Sequence, residues 1–80
     1  MKAKASGMKK GYPDIGLDVS RGGYHGLRIE LKKSNGKPTV EQKEWAGRLR
    51  DQGYFACFCY GQAMAEKVIV AYLKGAMRRE

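Results

Sequence analysis

Three side chains in the first half of this 80-residue sequence have the types and spacing of a hydrolytic site: Asp14, Glu30 and Lys32. Carboxylate oxygens are the ligands that a hard divalent cation such as Mg²⁺ prefers. Such a cation activates water as a nucleophile and neutralises charge that develops on a phosphoryl oxygen. A lysine beside that water lowers its pKa and stabilises the charged transition state. The three residues predict metal-assisted hydrolysis, provided that the fold brings them together.

The alternative is a surface hairpin without a site. Its polar face would then hold two ordinary ion pairs, Asp14 with Lys32 and Asp18 with Arg28, each worth about 0–1 kcal/mol. Because the polar face of an antiparallel sheet is commonly only solvated, the alternating pattern by itself favours this alternative.

A β-hairpin must position these residues. Apolar and polar residues alternate strictly over residues 14–20 and again over residues 25–33, and a Gly-Gly turn lies between them at residues 21–24. Two alternating segments joined by such a turn predict two antiparallel strands that share an apolar face.

Two registers of this hairpin pair apolar residues with apolar residues. The first sets Asp14 opposite Lys32, and the second, slipped by two residues, sets Asp14 opposite Glu30. Side chains directly opposite each other lie about 4.5–5.5 Å apart at Cβ. Both registers therefore cluster the three polar residues at one end of the hairpin, where Gly16 leaves a gap among them. The first register pairs Val19 with Leu27 and Ile15 with Leu31.

A helix, a strand and a second helix are predicted after the hairpin. Thr39 begins a helix of about three turns that Gly53 ends, and the continuous apolar run at residues 54–60 predicts a strand buried on both faces. From Gln62 onward, apolar residues at i, i+4 and i+8 predict a second amphipathic helix. The fold class is therefore small α/β, with the order strand-strand-helix-strand-helix after a basic arm at residues 1–10. The apolar residues of the two helices are Trp45, Ala46 and Leu49 in the first, and Met64, Ala65, Val68, Ile69, Tyr72 and Leu73 in the second.

Composition limits the classes of function. Sixteen Lys and Arg residues against eight Asp and Glu give a net charge of +8, which favours a polyanionic partner: nucleic acid first, an anionic membrane surface second. Charge alone does not distinguish DNA from RNA. No apolar run is long enough for a membrane span. The two cysteines, Cys57 and Cys59, exclude a secreted disulfide scaffold, because a strand would separate them by about 6.6 Å. We expect core thiols and a reducing compartment.

The residues around the three polar side chains resemble a known family. Pro13-Asp14 followed by Glu30-Leu31-Lys32 resembles the PD-(D/E)xK signature of restriction-endonuclease-like nucleases, which is short and recurs by chance. The wider context is more specific. Segments spread over residues 9 to 73 resemble the virus-type replication-repair nuclease (VRR-Nuc) domain: residues 11–14, 21–27, 29–32, 38–53 with Gln42 and Trp45, and Tyr60-Gly61 with the helix that follows.

This resemblance implies roles for particular residues. Asp14 and Glu30 would bind metal, with the backbone carbonyl of Leu31 as a further ligand. Lys32 would be the catalytic lysine, and Gln42 would point into the site from the first helix. Gln42 also has a purely local explanation, because Thr39-Val40-Glu41-Gln42 is a capping-box sequence. The candidate phosphate contacts flank both ends of the hairpin: Lys9, Lys10, Arg21, His25, Lys33 and Lys37.

The resemblance also implies a function. It predicts one nuclease domain over residues 1–80 with a minimal restriction-endonuclease-like core: a basic arm at 1–10, the active-site hairpin at 14–33 and a helix-strand-helix unit at 39–75. The expected activity is a metal-dependent, structure-specific DNA endonuclease that cuts branched DNA such as a Holliday junction. The expected cofactor is Mg²⁺, which Mn²⁺ can replace. We further expect a homodimer in the cytoplasm of a phage-infected or bacterial cell.

One departure from the family leaves an alternative open. Longer members carry an N-terminal helix with a Glu and a further strand before the Pro-Asp motif, whereas no acidic residue precedes Asp14 here. We therefore expect a minimal or truncated form whose open edge is covered by a second copy. The alternative is a non-catalytic DNA-binding module that keeps the fold and the basic surface.

Overall fold

The predicted order of elements is confirmed over residues 10–79, the part of the chain that the computed structural model describes. The arm predicted at residues 1–10 lies outside this range except for Lys10. Neither described helix is long and apolar enough to cross a membrane. The elements are β1 (Ile15–Leu17), β2 (Leu27–Lys32), α1 (Val40–Asp51), β3 (Phe55–Tyr60) and α2 (Gln62–Leu73).

The three strands form one sheet with β2 at its centre. β1 pairs antiparallel with β2, and β3 pairs parallel with β2. A parallel pair needs a long connection from one end of the sheet to the other, and α1 provides it. The carboxyl ends of β2 and β3 therefore lie together, next to the start of α1.

The hairpin adopts the second of the two predicted registers, with Ile15 opposite Ile29. The first register is wrong, because it required Val19 to pair with Leu27 within the ladder. β1 ends at Leu17 instead, and the carbonyl of Val19 accepts a hydrogen bond of 2.6 Å from the Tyr72 hydroxyl. A long-range contact with α2 thus shortens the strand that alternation predicts for residues 14–20.

Each face of the sheet packs against one helix. On one face, α2 covers a core of buried residues: Leu27, Ile29, Cys59, Ala65 and Tyr72. On the other face, α1 covers a smaller core of Ala46, Leu49 and Ala56, with Tyr12, Trp45, Tyr54 and Phe58 packed against it. β3 thus lies between two helices as its apolar run predicts, although its last residue, Tyr60, is 40% exposed. Side chains alternate along β2, so its polar residues face α1.

The apolar stripe predicted for α2 is only partly buried. Ala65 and Tyr72 are buried, whereas Met64 and Leu73 are 43% and 41% exposed. The stripe is wider than the face that the sheet covers, and no other described element packs against its outer part.

The ends of α1 follow from its sequence. Thr39 is the N-cap, and its hydroxyl accepts a hydrogen bond of 3.1 Å from the backbone N–H of Gln42. At the other end, Gly53 adopts a φ of +92°, a left-handed conformation that glycine tolerates best, and the chain turns from there into β3. The capped start of α1 lies beside the end of β2, where the predicted site residues are found.

Candidate active site

Asp14 and Glu30 lie side by side at the open end of the hairpin. The observed register continues past Ile15 and Ile29 to set Asp14 opposite Glu30. One Asp14 oxygen, Oδ2, accepts a hydrogen bond of 2.9 Å from the backbone N–H of Leu31. The Asp14 side chain is thereby held against the last residues of β2, where it remains accessible to solvent.

Glu30 is a buried carboxyl group. The residue is only 8% exposed, and its Oε2 accepts a hydrogen bond of 3.0 Å from the Gln42 amide. Its other oxygen, Oε1, is buried and receives no hydrogen bond from any described residue. Burial, followed by the neighbouring Asp14 carboxyl, raises the pKa of Glu30 to about 7 from its ordinary value of 4.5, and Lys32 opposes the rise. A buried carboxylate oxygen without a partner is an unfavourable arrangement unless a ligand completes it.

Gln42 connects the helix cap with the site. Its Oε1 accepts hydrogen bonds from the Thr39 backbone N–H at 2.9 Å and from Lys32 Nζ at 3.0 Å. Its Nε2 donates to Glu30. The capping box that Thr39 and Gln42 predict is therefore present. The same amide also reaches the site, so the two roles considered for Gln42 occur together.

The donor set fits a hard divalent cation. Residues 10–79 contain no group of three or more His, Cys, Asp or Glu side chains placed to hold a metal ion, so two carboxylates are what the side chains supply. Mg²⁺ is commonly held by one or two carboxylates and keeps several of its waters. The amide and carbonyl of a strand residue point to the same edge, so the Leu31 carbonyl points towards Asp14 as well. The unpaired Glu30 oxygen is the atom that a cation would satisfy.

A hairpin without a site predicts two surface ion pairs. The pair of Asp18 with Arg28 is present, whereas the pair of Asp14 with Lys32 is not. Asp18 accepts a hydrogen bond of 2.8 Å from Arg28, as predicted for a hairpin without a site. Lys32, in contrast, bonds to Gln42 and forms no ion pair with Asp14. The gap predicted at Gly16 is filled, because a Cβ atom there would lie 3.3 Å from the Arg28 guanidinium.

Comparison with known proteins gives a close structural match. No family model matches the chain, and no curated protein matches it. A solved structure described as a VRR_NUC domain protein superposes with a TM-score of 0.82 and 45% sequence identity over 90% of this chain. The resemblance to the VRR-Nuc family is confirmed. The match spans 60% of the length of that protein, and the similarity supports a nuclease-type domain.

The predicted phosphate contacts lie at two ends of the hairpin. Lys33 and Lys37 are exposed in the loop between Lys32 and α1, next to the carboxylates. Lys10 lies 3.7 Å from Glu41 and is therefore part of an exposed ion pair. Arg21 and His25 lie at the opposite end, in the turn. Lys9 lies outside the described residues.

The sequence did not predict that Arg79 lies beside the hairpin turn. Together with Arg21 and His25 it forms a group of side chains that we call the turn cluster. The backbone N–H of Arg79 donates a hydrogen bond of 2.7 Å to the carbonyl of Gly22, so the segment after α2 folds back onto the hairpin turn. No local pattern predicts this contact, since it joins residues far apart in sequence. The one indication in the sequence was the pair Arg78-Arg79, because two cations that follow an amphipathic helix can contribute to a basic surface.

Proposed function

We propose that the chain is a metal-dependent DNA endonuclease that hydrolyses phosphodiester bonds at the end of β2. The observation that carries this proposal is the buried Glu30 oxygen without a partner, next to a second carboxylate and a lysine. A purely structural hairpin has no need for such a group, because a buried carboxyl without compensation destabilises the fold.

Asp14 and Glu30 would hold the cation, with the Leu31 carbonyl as a further ligand. Mg²⁺ fits this oxygen-only set, and Mn²⁺ accepts the same ligands. When bound, the cation would supply charge neutralisation at the phosphoryl oxygens and a more acidic water. The protein's own contribution is to keep two acidic oxygens facing one point from two strands.

Lys32 would act on the reacting phosphate. Its ammonium group lies on the same face as Glu30 and is anchored 3.0 Å from Gln42 Oε1, which fixes the position of its charge. A fixed positive charge stabilises negative charge that develops in the transition state, without reorganisation during the reaction. Gln42 is a positioning residue, because it orients both Lys32 and Glu30 through one amide.

The proposed substrate is branched DNA, and the proposed assembly is a homodimer. The net charge of +8 and the similarity to a VRR_NUC domain protein support a nucleic-acid substrate. A four-way junction has two-fold symmetry, and two cuts at symmetric positions require two sites that a C2 dimer supplies. The proposed location is a reducing cytoplasm, where cysteines such as Cys57 and Cys59 stay reduced.

Cleavage of a labelled four-way junction, beside a linear duplex of the same sequence, tests the proposal. In Mg²⁺ we expect symmetric nicks in the junction and none in the duplex. Lys32→Ala should abolish the nicks, whereas Lys67→Ala, which removes an equal charge from the exposed side of α2, should leave them unchanged. Junction binding without cleavage in either Mg²⁺ or Mn²⁺ would overturn the nuclease assignment.

A non-catalytic DNA-binding module is the second candidate. The observation that favours it is the small ligand set of two carboxylates within the described residues. The melting temperature separates the two candidates, because a ligand that binds the folded state stabilises it. The nuclease predicts that Mg²⁺ or Mn²⁺ raises the melting temperature and that Glu30→Ala removes the rise. The binding module predicts no response to either metal.

A further inference from the structure

The turn end of the hairpin gathers cationic and hydrogen-bonding side chains far from the carboxylates. We propose that His25, Arg79 and Arg21 form a second phosphate-binding site there, which holds the backbone of a DNA arm whose scissile phosphate lies at the other end of β2. This proposal rests on the proposed function, which concerns the scissile end. It adds a second place at which the protein holds the same substrate.

Two of these side chains pack against Gly53. A Cβ atom on Gly53 would clash with His25 Cδ2 and would lie 2.9 Å from His25 Nε2 and 3.1 Å from Arg79 Nη1, so the imidazole and the guanidinium both pack directly against Gly53, where only glycine leaves them room. The backbone N–H of His25 donates a hydrogen bond of 2.8 Å to the Gly53 carbonyl, which fixes the histidine beside this glycine. His25 and Arg79 are both exposed, so two nitrogen-bearing side chains held side by side can meet an oxygen-rich anion that approaches from solvent.

Both arginines are held in place by backbone contacts. The backbone of Arg79 is fixed through its N–H bond to Gly22, its Cβ packs against Gly23, and its guanidinium packs against Gly53. Arg21 donates from Nε to the Leu73 carbonyl at 3.1 Å and from Nη1 to the Ser20 carbonyl at 2.8 Å. A guanidinium carries five N–H donors, so Arg21 keeps donors for a ligand after making these two bonds. Side chains that are already positioned lose less entropy when they bind.

Neither Arg21 nor Arg79 forms an ion pair with a described residue. Of the two ion pairs in the described part of the chain, Lys10 with Glu41 lies at the other end of the hairpin, whereas Arg28 with Asp18 lies at the turn end and uses the Asp18 carboxylate. Arginine binds phosphate through two parallel hydrogen bonds, which gives geometry as well as charge. The end of α1 lies nearby and favours cations through its dipole, so a structural role for Arg79 is the competing explanation.

The spacing of the two ends defines the length of the DNA arm. Seven residues separate His25 from Lys32, and an extended strand rises about 3.3 Å per residue, so the ends are about 23 Å apart. Duplex DNA advances about 3.4 Å per base pair. An arm must therefore extend about seven base pairs from the scissile phosphate to reach the turn end.

Equilibrium binding to junctions with arms of 5 and of 15 base pairs tests this inference. Measurements without divalent metal keep the result independent of cleavage, so a failed nuclease assay and a failed second site are distinguishable. We expect the double variant Arg21→Ala with Arg79→Ala to bind the long-armed junction more weakly and to lower its salt slope by about 2. Affinity for the short-armed junction should stay close to that of the wild type.

The matched control is the double variant Lys67→Ala with Lys74→Ala, which removes the same charge from the outer side of α2. If this control loses as much affinity as the arginine variant, or if the arginine variant weakens both junctions equally, a diffuse field explains the binding and the second site is wrong. If the double variant does not fold, the single variant Arg79→Ala is measured in its place. A lower melting temperature with unchanged long-arm affinity would assign Arg79 to structure and overturn the proposal.

Discussion

The protonation of Glu30 links the site to the stability of the fold. Its pKa in the folded chain is about 7, above the ordinary value of 4.5, because the carboxyl is buried beside Asp14. Between these two pH values the folded state binds more protons than the unfolded state, so the free energy of unfolding falls as pH rises. The loss amounts to on the order of 3 kcal/mol and is complete above pH 7. The site therefore destabilises the metal-free protein at neutral pH.

Glu30→Gln should remove this dependence. We expect its melting temperature in EDTA to exceed that of the wild type at pH 8 and to change much less between pH 4.5 and 8, because an amide does not ionise. Glu44→Gln, at an exposed position on α1, is the control and should follow the wild type. If Glu30→Gln and the wild type lose stability in parallel over this range, Glu30 is ionised throughout and its burial carries no penalty.

At the scale of elements, the start of α1 combines a helix cap with the orientation of two site residues. Thr39→Ala removes the hydroxyl that caps the helix but leaves the Gln42 amide in contact with Lys32 and Glu30. Gln42→Ala removes both functions. Each change should lower the free energy of unfolding by about 1 kcal/mol. Only Gln42→Ala should lower kcat, by about 10- to 100-fold, because it releases the groups that the amide positions.

Kinetics on the junction substrate, together with urea unfolding, checks this separation. A kcat for Gln42→Ala equal to that of the wild type would show that Gln42 acts only through the cap. A fall in kcat with Thr39→Ala as large as with Gln42→Ala would show that rigidity of the helix start, and not the contacts of the amide, limits the reaction.

The order of elements could be predicted because each one is encoded locally. Alternation defines β2, the capping box defines the start of α1, and the apolar run defines β3. The register could be narrowed only to two choices, because the position of Val19 depends on Tyr72, which is 53 residues away in sequence. The predicted location of the site did not depend on the register, because the first register places Asp14 beside Lys32 and the second places it beside Glu30.

The turn cluster shows the opposite case. Arg21 and His25 could be selected from sequence as candidate phosphate contacts in the turn, whereas Arg79 joins them only because the chain after α2 returns to Gly22. The packing at Gly53 depends equally on three separate segments meeting at one place. Local patterns contain no information about such contacts, which arise only when the helices pack on the sheet.

At the scale of the whole molecule, the small core bears on the proposed homodimer. An 80-residue chain buries a limited fraction of its surface, so its stability as a monomer is marginal. Association of two copies would stabilise the fold by mass action, and it would supply the two sites that a symmetric junction requires.

A homodimer predicts that the melting temperature rises with protein concentration, whereas that of a monomer does not. We expect sedimentation equilibrium at micromolar concentration to give twice the mass of the chain, and we expect both strands of a junction to be nicked within one binding event. A chain mass of one copy, with a melting temperature independent of concentration, would overturn the homodimer and would require two successive encounters for the two cuts.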